Sequence, residues 1–289
     1  VLGGEQVEGR QAVRELLAAG LREVSEVWMT EGNDPSPILG EIDHLAREAH
    51  VPVRLVSPRR LESVQGTETP QGVVAFAEAL TVYTIEQLVL GDASDTSSTS
   101  DLHDLGNEGN EGDQGDDASD TSSTSAPGGE GLVSRAGGFL VVLDGVTDPQ
   151  NLGAILRTAE CAGATGALIP RHRAVHVTPA VTKAAAGAVE HLRMSLVAGV
   201  PAALQELERL GVMTVGLDGR GSTSIFDLKL GDRPVALVLG SEGSGLAPLV
   251  RQRCDVLANI PLSGTIPSLN VSAAAAIACF EVARQRSGS

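Results

Sequence analysis

The run Val235-Ala-Leu-Val-Leu-Gly-Ser-Glu-Gly-Ser-Gly-Leu246 reads as a buried strand that empties into a glycine-rich loop. Downstream, Asn259-Ile-Pro-Leu-Ser-Gly-Thr-Ile-Pro-Ser-Leu-Asn-Val-Ser272 reads as a short strand, a polar loop and the start of an alanine-rich helix. Two backbone-rich loops at the ends of neighbouring strands are where an open α/β sheet holds a nucleotide-like ligand. Glu242 is the one charged residue between Val235 and Val250. A third segment lies upstream, Leu143-Asp-Gly-Val-Thr-Asp-Pro-Gln-Asn-Leu-Gly-Ala-Ile-Leu-Arg-Thr158. It is again strand, turn and helix start, with Asn151 in the place of an N-cap. Leu152, Ile155, Leu156 and Ala159 form its apolar stripe, and Arg157 lies off it. An arginine so placed is in most proteins a solvated helix residue. By themselves, then, these residues specify a nucleotide-like pocket and nothing finer. The glycine loop alone also fits an ordinary strand-to-helix turn or a dinucleotide fingerprint. The fingerprint fails on position: the loop is near the C-terminus, and no acidic ribose ligand ends a strand about twenty residues on.

Taken together and in order, the three segments resemble the three motifs of the SpoU/TrmH branch of the SPOUT RNA methyltransferases, across roughly the last half of the chain. The resemblance implies S-adenosylmethionine (AdoMet) as cofactor and 2′-O-ribose methylation of RNA, with a guanosine of 23S rRNA as the first choice of target. A tRNA 2′-O-methyltransferase and an antibiotic-resistance rRNA methylase are the second and third choices. It implies that Asn151 and Arg157 face the acceptor nucleotide and that Glu242 supports the site, positioning Arg157 or substrate. Ser268 and Asn270 match the third motif, and Asn270 is also placed to cap the last helix. Arginine is practically never deprotonated in proteins. Arg157 is therefore read as a clamp on a substrate phosphate that polarises the ribose hydroxyl, not as a free base. Gly240, Ile260 and Leu269 match the positions whose main chain holds adenine and methionine, with Leu239, Gly245 and Leu262 as wall residues. The resemblance also implies a C-terminal trefoil knot, which topology rules alone would argue against, and a homodimer with its sites at the two-fold interface. Val271, Ala274, Ala275, Ile277, Ala278 and Val282 supply the apolar helix face for such an interface. A catalytically silent RNA-binding or ribosome-assembly factor and a nicotinamide oxidoreductase are the alternatives from other classes. Retention of Asn151, Arg157, Glu242 and Asn270 together argues against the first.

The elements that must position these residues alternate along the chain. Strands are expected at 139–143, 166–169, 193–197, 212–217, 235–239 and 256–260, and helices near 152–162, 179–189, 201–210, 247–253 and 271–286. This alternation predicts right-handed crossovers and a parallel sheet with helices on both faces. Residues 9–80 alternate too, with helices at 12–17 and 38–49, strands at 24–29, 51–56 and 72–77, and a helical turn at 61–64. This small α/β module resembles the ribosomal L30e-like substrate-binding domain of rRNA-modifying relatives, best at Thr69-Pro-Gln-Gly-Val-Val-Ala75. The expected organisation is an RNA-binding domain over 1–90, an acidic linker over 91–131 and the SPOUT domain over 132–289.

The linker repeats Asp92-Ala-Ser-Asp-Thr-Ser-Ser-Thr-Ser100 letter for letter at 117–125. Such sequence buries too little apolar surface to offset ordering entropy, so disorder is expected, with a root-mean-square span on the order of 35 Å. It also explains a net charge of −16 that looks wrong for an RNA-binding protein. Residues 92–131 carry eleven acidic and no basic residues, whereas residues 132–289 carry fourteen basic and twelve acidic. The catalytic half is slightly basic, so the overall acidity argues against bulk capture of RNA but not against local phosphate contacts. His172 and His176 have the spacing of paired ligands but no acidic third partner, so no metal is expected. With Arg171, Arg173 and Lys183 beside them, they are read as a solvated or RNA-contacting cluster. Aromatics make up 2% of the chain, so the core must rest on Ala, Val, Leu and Ile, as suits a sheet buried on both faces. Cys161, Cys254 and Cys279 form no C-x-x-C pair and read as buried thiols of a reducing compartment. With no membrane span or signal peptide visible, the protein is expected to be cytoplasmic. The chain begins at Val1, and a natural N-terminal extension is expected upstream.

Overall fold

The structure, a computed structural model, describes residues 2–32, 36–67, 71–91, 138–172 and 176–287. The acidic linker and Arg173 of the basic cluster lie outside the described residues. The first sheet collects β1 (Gln6–Glu8), β2 (Val24–Thr30), β3 (Val53–Val56) and β4 (Val73–Ala77), with α1 (Arg10–Ala19), α2 (Pro37–Glu48) and α3 (Pro58–Glu62) between them. Its order is β1-β4-β2-β3, antiparallel except for β2 with β3. Helix α1 buries Ala12, Val13, Leu16 and Leu17 along one stripe and stops at Gly20, which turns left-handed at φ 59°. Strand β1 was not expected, because three residues give no periodic signal and pairing with β4 alone makes it a strand. Its Glu8 is fully buried, and the carboxylate accepts from the Gly66 amide at 2.5 Å, the Thr67 amide at 3.1 Å and Gln6 Nε2 at 2.6 Å. Without those donors a buried carboxylate there would be costly.

A short helix, α4 (Ile85–Leu90), follows, closed by a reciprocal capping box between Thr84 and Gln87. Its Ile85 and Leu88 bury against the second sheet, not the first.

That second sheet is built from β5 (Phe139–Asp144), β6 (Gly166–Pro170), β7 (Arg193–Val197), β8 (Met213–Leu217), β9 (Thr223–Ser224), β10 (Val235–Gly240) and β11 (Val256–Asn259). Helices α5 (Pro149–Cys161), α6 (Pro179–Ala184), α7 (Val200–Arg209), α8 (Pro248–Arg253) and α9 (Val271–Ser287) complete it. All pairings are parallel, in the order β7-β6-β5-β10-β8-β11-β9. Alternate residues of the central strands face opposite layers. Val141, Leu143, Leu237 and Leu239 pack toward α5, α6 and α9, while Leu140, Val142, Ala236 and Val238 pack toward α4, α7 and α8. Such a doubly covered sheet needs the near-continuous apolar runs that the sequence shows.

Three sequence expectations change. Asn151 is not the N-cap of α5: Asp148 is, its Oδ2 accepting from the Asn151 amide at 2.9 Å. Pro149, which lacks an N–H, fits the first helical position and moves the start upstream. The helix expected over 179–189 ends at Ala184, since Ala186 (φ 50°) and Gly187 (φ 90°) both turn left-handed before a 3-10 turn at 188–190. Of the face assigned to dimerisation, Val271, Ala275, Ala278 and Val282 are buried in this chain's own core. The outward stripe of α9 is Ala273, Ile277 and Phe280, the last 52% exposed.

The two sheets are joined by more than a tether. Leu2 and Leu80 belong to the core of the second sheet, and bridges pair Gly3 with Val177 and Val82 with Met194. Between the modules, Arg22 makes a two-pronged ion pair with Glu190 at 2.8 and 2.7 Å, the side chains 5% and 1% exposed.

Candidate active site

Strands β5 and β10 lie side by side in register, with Gly240 opposite Asp144. From β5 the chain builds outward through β6 to β7, while β8, β11 and β9 lie on the far side of β10. This is the switch point at which an open parallel sheet forms a crevice beyond its carboxyl ends. The loop after β10 is a closed turn: Ser241 N–H donates to Gly245 O at 3.1 Å and Gly245 N–H donates back at 2.9 Å. Gly243 and Gly245 have φ of 80° and 67°, a conformation costly for any side chain. A Cβ on Gly240 would lie 2.3 Å from Gly245 C and 2.4 Å from Leu246 N, so the loop folds directly onto that glycine. Asp144 accepts from the Ala247 amide at 2.7 Å and ties the loop to β5.

This turn carries Glu242 to its tip, where it meets the other two motifs. Asn270 Nδ2 donates to Glu242 Oε1 at 2.5 Å and to Asn151 Oδ1 at 2.9 Å. Asn270 Oδ1 accepts from the Ser272 and Ala273 amides at 2.8 and 3.3 Å, capping α9. Because Oδ1 is committed to those N–H groups, the orientation of the amide is set and Nδ2 must face the crevice. Asn151, buried on α5, thus joins Glu242 and Asn270 into one network across three elements. Ser268 lies two residues before Asn270 on the exposed loop 261–270.

Arg157 is not part of that network. Six residues beyond Asn151, it sits about 9 Å further along α5 by helix geometry. It lines a cleft of about 290 Å³ with Gln11, Glu15, Glu160, Cys161 and His191. Glu242 has Asn270 as its partner, so the expectation that it orients Arg157 of the same chain finds no contact here.

The residues expected at the cofactor are Leu239, Gly240, Gly245, Ile260, Leu262 and Leu269. Leu239 is buried and Ile260 packs on the core, so both act as floor. From 261 to 270 every residue is exposed, including Leu262 (43%), Ile266 (72%) and Leu269 (40%). Among the described residues, 261–269 make no backbone-to-backbone hydrogen bond. Free amides and carbonyls beside exposed leucines fit the chemistry of AdoMet, whose adenine needs apolar faces and main-chain hydrogen bonds. The residues present therefore fit the cofactor.

Thiol chemistry does not compete. Burial pushes Cys254 and Cys279 up to about 12; Cys161, expected to be buried, is exposed at the end of α5, and partial desolvation with the Glu160 carboxylate still raises it. All three are thiols at neutral pH, not nucleophiles. His172 and His176 follow β6 and are both exposed, with His176 Nε2 3.4 Å from Arg171 O. Among the described residues, no helix is long and apolar enough to cross a membrane. The sequence reading took Asp148 with Pro149 only as a turn and did not single out Asp144, Arg22 or Glu190. A D-P dipeptide before an apolar stripe was the available sign for Asp148; nothing local marked the others.

Comparison with known proteins finds relatives over both modules. The family model described as SpoU rRNA methylase matches residues 138–280, and that for RNA 2′-O ribose methyltransferase substrate binding matches residues 6–83. A protein of Burkholderia sp named 23S rRNA (guanosine-2′-O-)-methyltransferase RlmB is 42% identical, over 97% of this chain and 96% of its own. A protein of the same name from Xylella fastidiosa is 36% identical at the same coverage. Among solved structures, the SpoU methyltransferase AviRb of Streptomyces viridochromogenes in complex with AdoMet superposes with a TM-score of 0.70. At 21% identity over 98% of this chain and 91% of that one, it shows the shared fold. Motif residues, sheet order and near-full-length similarity converge, and the chain belongs to the SpoU rRNA methylase family.

Proposed function

We propose that this protein transfers the methyl group of AdoMet to the ribose 2′-hydroxyl of a guanosine in 23S rRNA. The observation that carries the reading is the Asn151–Asn270–Glu242 network, which joins the three motif segments at the mouth of the switch-point crevice. Relatives named for this reaction cover the whole length, including the N-terminal module, and support rRNA as the substrate. Such a substrate places the enzyme in the cytoplasm.

When bound, AdoMet supplies a methyl group activated by its sulfonium. The chain's own task is then to hold an in-line acceptor, since a ribose hydroxyl is a poor nucleophile. Main-chain groups of Gly240 and of residues 260–269 would hold the cofactor, with Leu239 and Ile260 as floor and Leu262, Leu269 and Gly245 as wall residues. Asn270, fixed by its cap, holds Glu242 and Asn151 as a rigid polar rim toward the acceptor, with Ser268 beside them. Arg157 clamps a phosphate next to the reacting ribose and stabilises the charge that develops on its oxygen as the hydroxyl proton passes to solvent water.

Since Arg157 of one chain stands apart from the network that holds the cofactor loops, the complete site takes Arg157 from a second copy. The exposed Leu262, Ile266, Leu269 and Phe280, with the half-buried Ile277, supply the apolar surface for that homodimer. Residues 1–90 bind RNA and residues 132–289 carry the cofactor and the chemistry. The test is calorimetry with AdoMet followed by labelled transfer to 23S rRNA and to tRNA. Micromolar binding and transfer to 23S rRNA are expected; binding without transfer to any RNA would overturn the reading.

A further inference from the structure

The cleft beside Arg157 has two walls from different modules. Helix α1 supplies Gln11 and Glu15, and α5 supplies Arg157, Glu160 and Cys161. Between them lies a floor of Ala185, Ala186 and Ala188, with His191 at its edge. That floor is small and apolar, a surface on which the face of a base can lie. It is also strained, because Ala186 holds φ 50°, a conformation seldom adopted by residues with a Cβ. The walls are set at a fixed distance. A Cβ on Gly187 would lie 2.3 Å from Glu15 Cβ, so α1 stands as close to the floor as bare backbone allows. Arg22 and Glu190 lock the same junction.

The two carboxylates of the cleft differ. Glu15 is already engaged by Gln11 Nε2 at 3.1 Å, by His191 Nε2 at 3.0 Å and by Arg14. Glu160 is half-buried, and among the described residues it has no cation partner. It stands one helical turn from Arg157 on the same wall. We propose that the cleft holds the acceptor guanine and that Glu160 reads it, accepting both the N1–H and the exocyclic N2–H of its Watson–Crick edge.

This inference rests on the methyltransferase reading above and names the residue that would select the base. Among the four bases only guanine presents two adjacent donors on that edge. Adenine and cytosine place a ring acceptor beside their amino group, and uracil flanks its one N–H with carbonyls. A carboxylate is acceptor-only when ionised, so it pairs with guanine and repels the others. Arg157 lies at the distance on the helix suited to the phosphate or ribose of the same nucleotide, so base and hydroxyl are held by one wall.

The experiment uses the full chain and an RNA hairpin carrying the mapped target guanosine, or inosine or adenosine in its place. Inosine keeps N1–H and lacks the N2 amino group. For the unaltered protein kcat/KM is expected to fall about tenfold for inosine and 10²-fold or more for adenosine. Glu160→Gln, whose amide cannot accept both donors, is expected to bring guanosine and inosine within about twofold of each other. Its AdoMet affinity and Tm should match the unaltered protein, and Glu160→Asp should restore part of the preference. An unchanged guanosine-to-inosine ratio in Glu160→Gln overturns the assignment, as does an unaltered enzyme that treats the two bases alike. Those results leave the methyltransferase reading intact, whereas absence of transfer by the unaltered protein to any 23S rRNA sinks both.

Discussion

Arg22→Met should be among the most damaging single changes outside the active site. Its guanidinium donates to Glu190 at 2.8 and 2.7 Å, to Gly4 O at 2.9 Å and to Glu78 O, with the side chains of the pair 5% and 1% exposed. Removing it strands a buried carboxylate, a loss of about 3–5 kcal/mol at neutral pH. At about 2–4 °C per kcal/mol for a chain of this size, Tm falls by roughly 6–20 °C. The pH dependence gives the mechanism away. Burial already raises Glu190 above the ordinary carboxylate value of 4.5, against the opposing pull of Arg22. An acid whose folded value is raised favours the folded state below its unfolded value and loses that contribution as pH rises through the folded one. Without Arg22 the folded value climbs further. The penalty should therefore be small near pH 4.5 and grow steadily toward pH 8. Glu190→Gln, which leaves Arg22 the amide oxygen and the Gly4 and Glu78 carbonyls as acceptors, should cost about 1–3 kcal/mol, with the penalty shrinking toward pH 8 as the unaltered protein loses the contribution of its raised Glu190. Replacing both partners with methionine should recover most of the loss. Urea unfolding of the four proteins across pH 4.5–8 measures this. A penalty for Arg22→Met below about 1 kcal/mol, or one independent of pH, would show that no buried anion is stranded at Glu190.

Further expectations concern the site and the module junction. Asn270→Ala removes the α9 cap and the partner of Glu242 and Asn151; stability should drop by about 0.5–2 kcal/mol in urea and methyl transfer by more than the AdoMet affinity does. Arg157→Ala should lower kcat about 10²-fold or more while calorimetry finds AdoMet binding nearly intact; an equal collapse of cofactor affinity would make Arg157 a cofactor residue. Proteolytic cutting between residues 92 and 137 should leave the two halves eluting together on gel filtration, because Leu2, Leu80, Leu88 and the Arg22–Glu190 pair hold them; separate elution would show the junction to be weak. Mixing inactive Arg157→Ala and Glu242→Ala chains should restore activity if the site is shared across a dimer, and no recovery would confine it to one chain.

The second sheet was legible because its strands are short apolar runs between helical stretches, and a doubly covered parallel sheet leaves little else for such runs to be. The meeting of Asn151, Glu242 and Asn270 was not visible in spacing, since 119 residues separate the first from the last; only motif resemblance put them in one site. The resemblance could not place Arg157, because position on a helix does not say which neighbour faces it. What stayed hidden is short or long-range. Strands β1 and β9 are too brief to show a period. The premature end of α6 depends on Ala186 adopting a conformation its residue type disfavours. Arg22 and Glu190 each look like an ordinary surface charge until folding brings them together across 168 residues. The Asn151 cap was misplaced by three residues because Asp148, the better acceptor, precedes a proline that reads equally well as a turn.

The product expected of this enzyme is a methyl group on a ribose oxygen of 23S rRNA, and an alkali digest locates it. Unmodified 23S rRNA, incubated with the full chain and AdoMet, should be digested with alkali and the surviving dinucleotides identified by mass spectrometry. A 2′-O-methyl group blocks cleavage at its own linkage, so a single alkali-resistant dinucleotide beginning with methylated guanosine is predicted. A methyl group found on a base, a resistant dinucleotide only in tRNA, or complete hydrolysis of the rRNA would contradict the account.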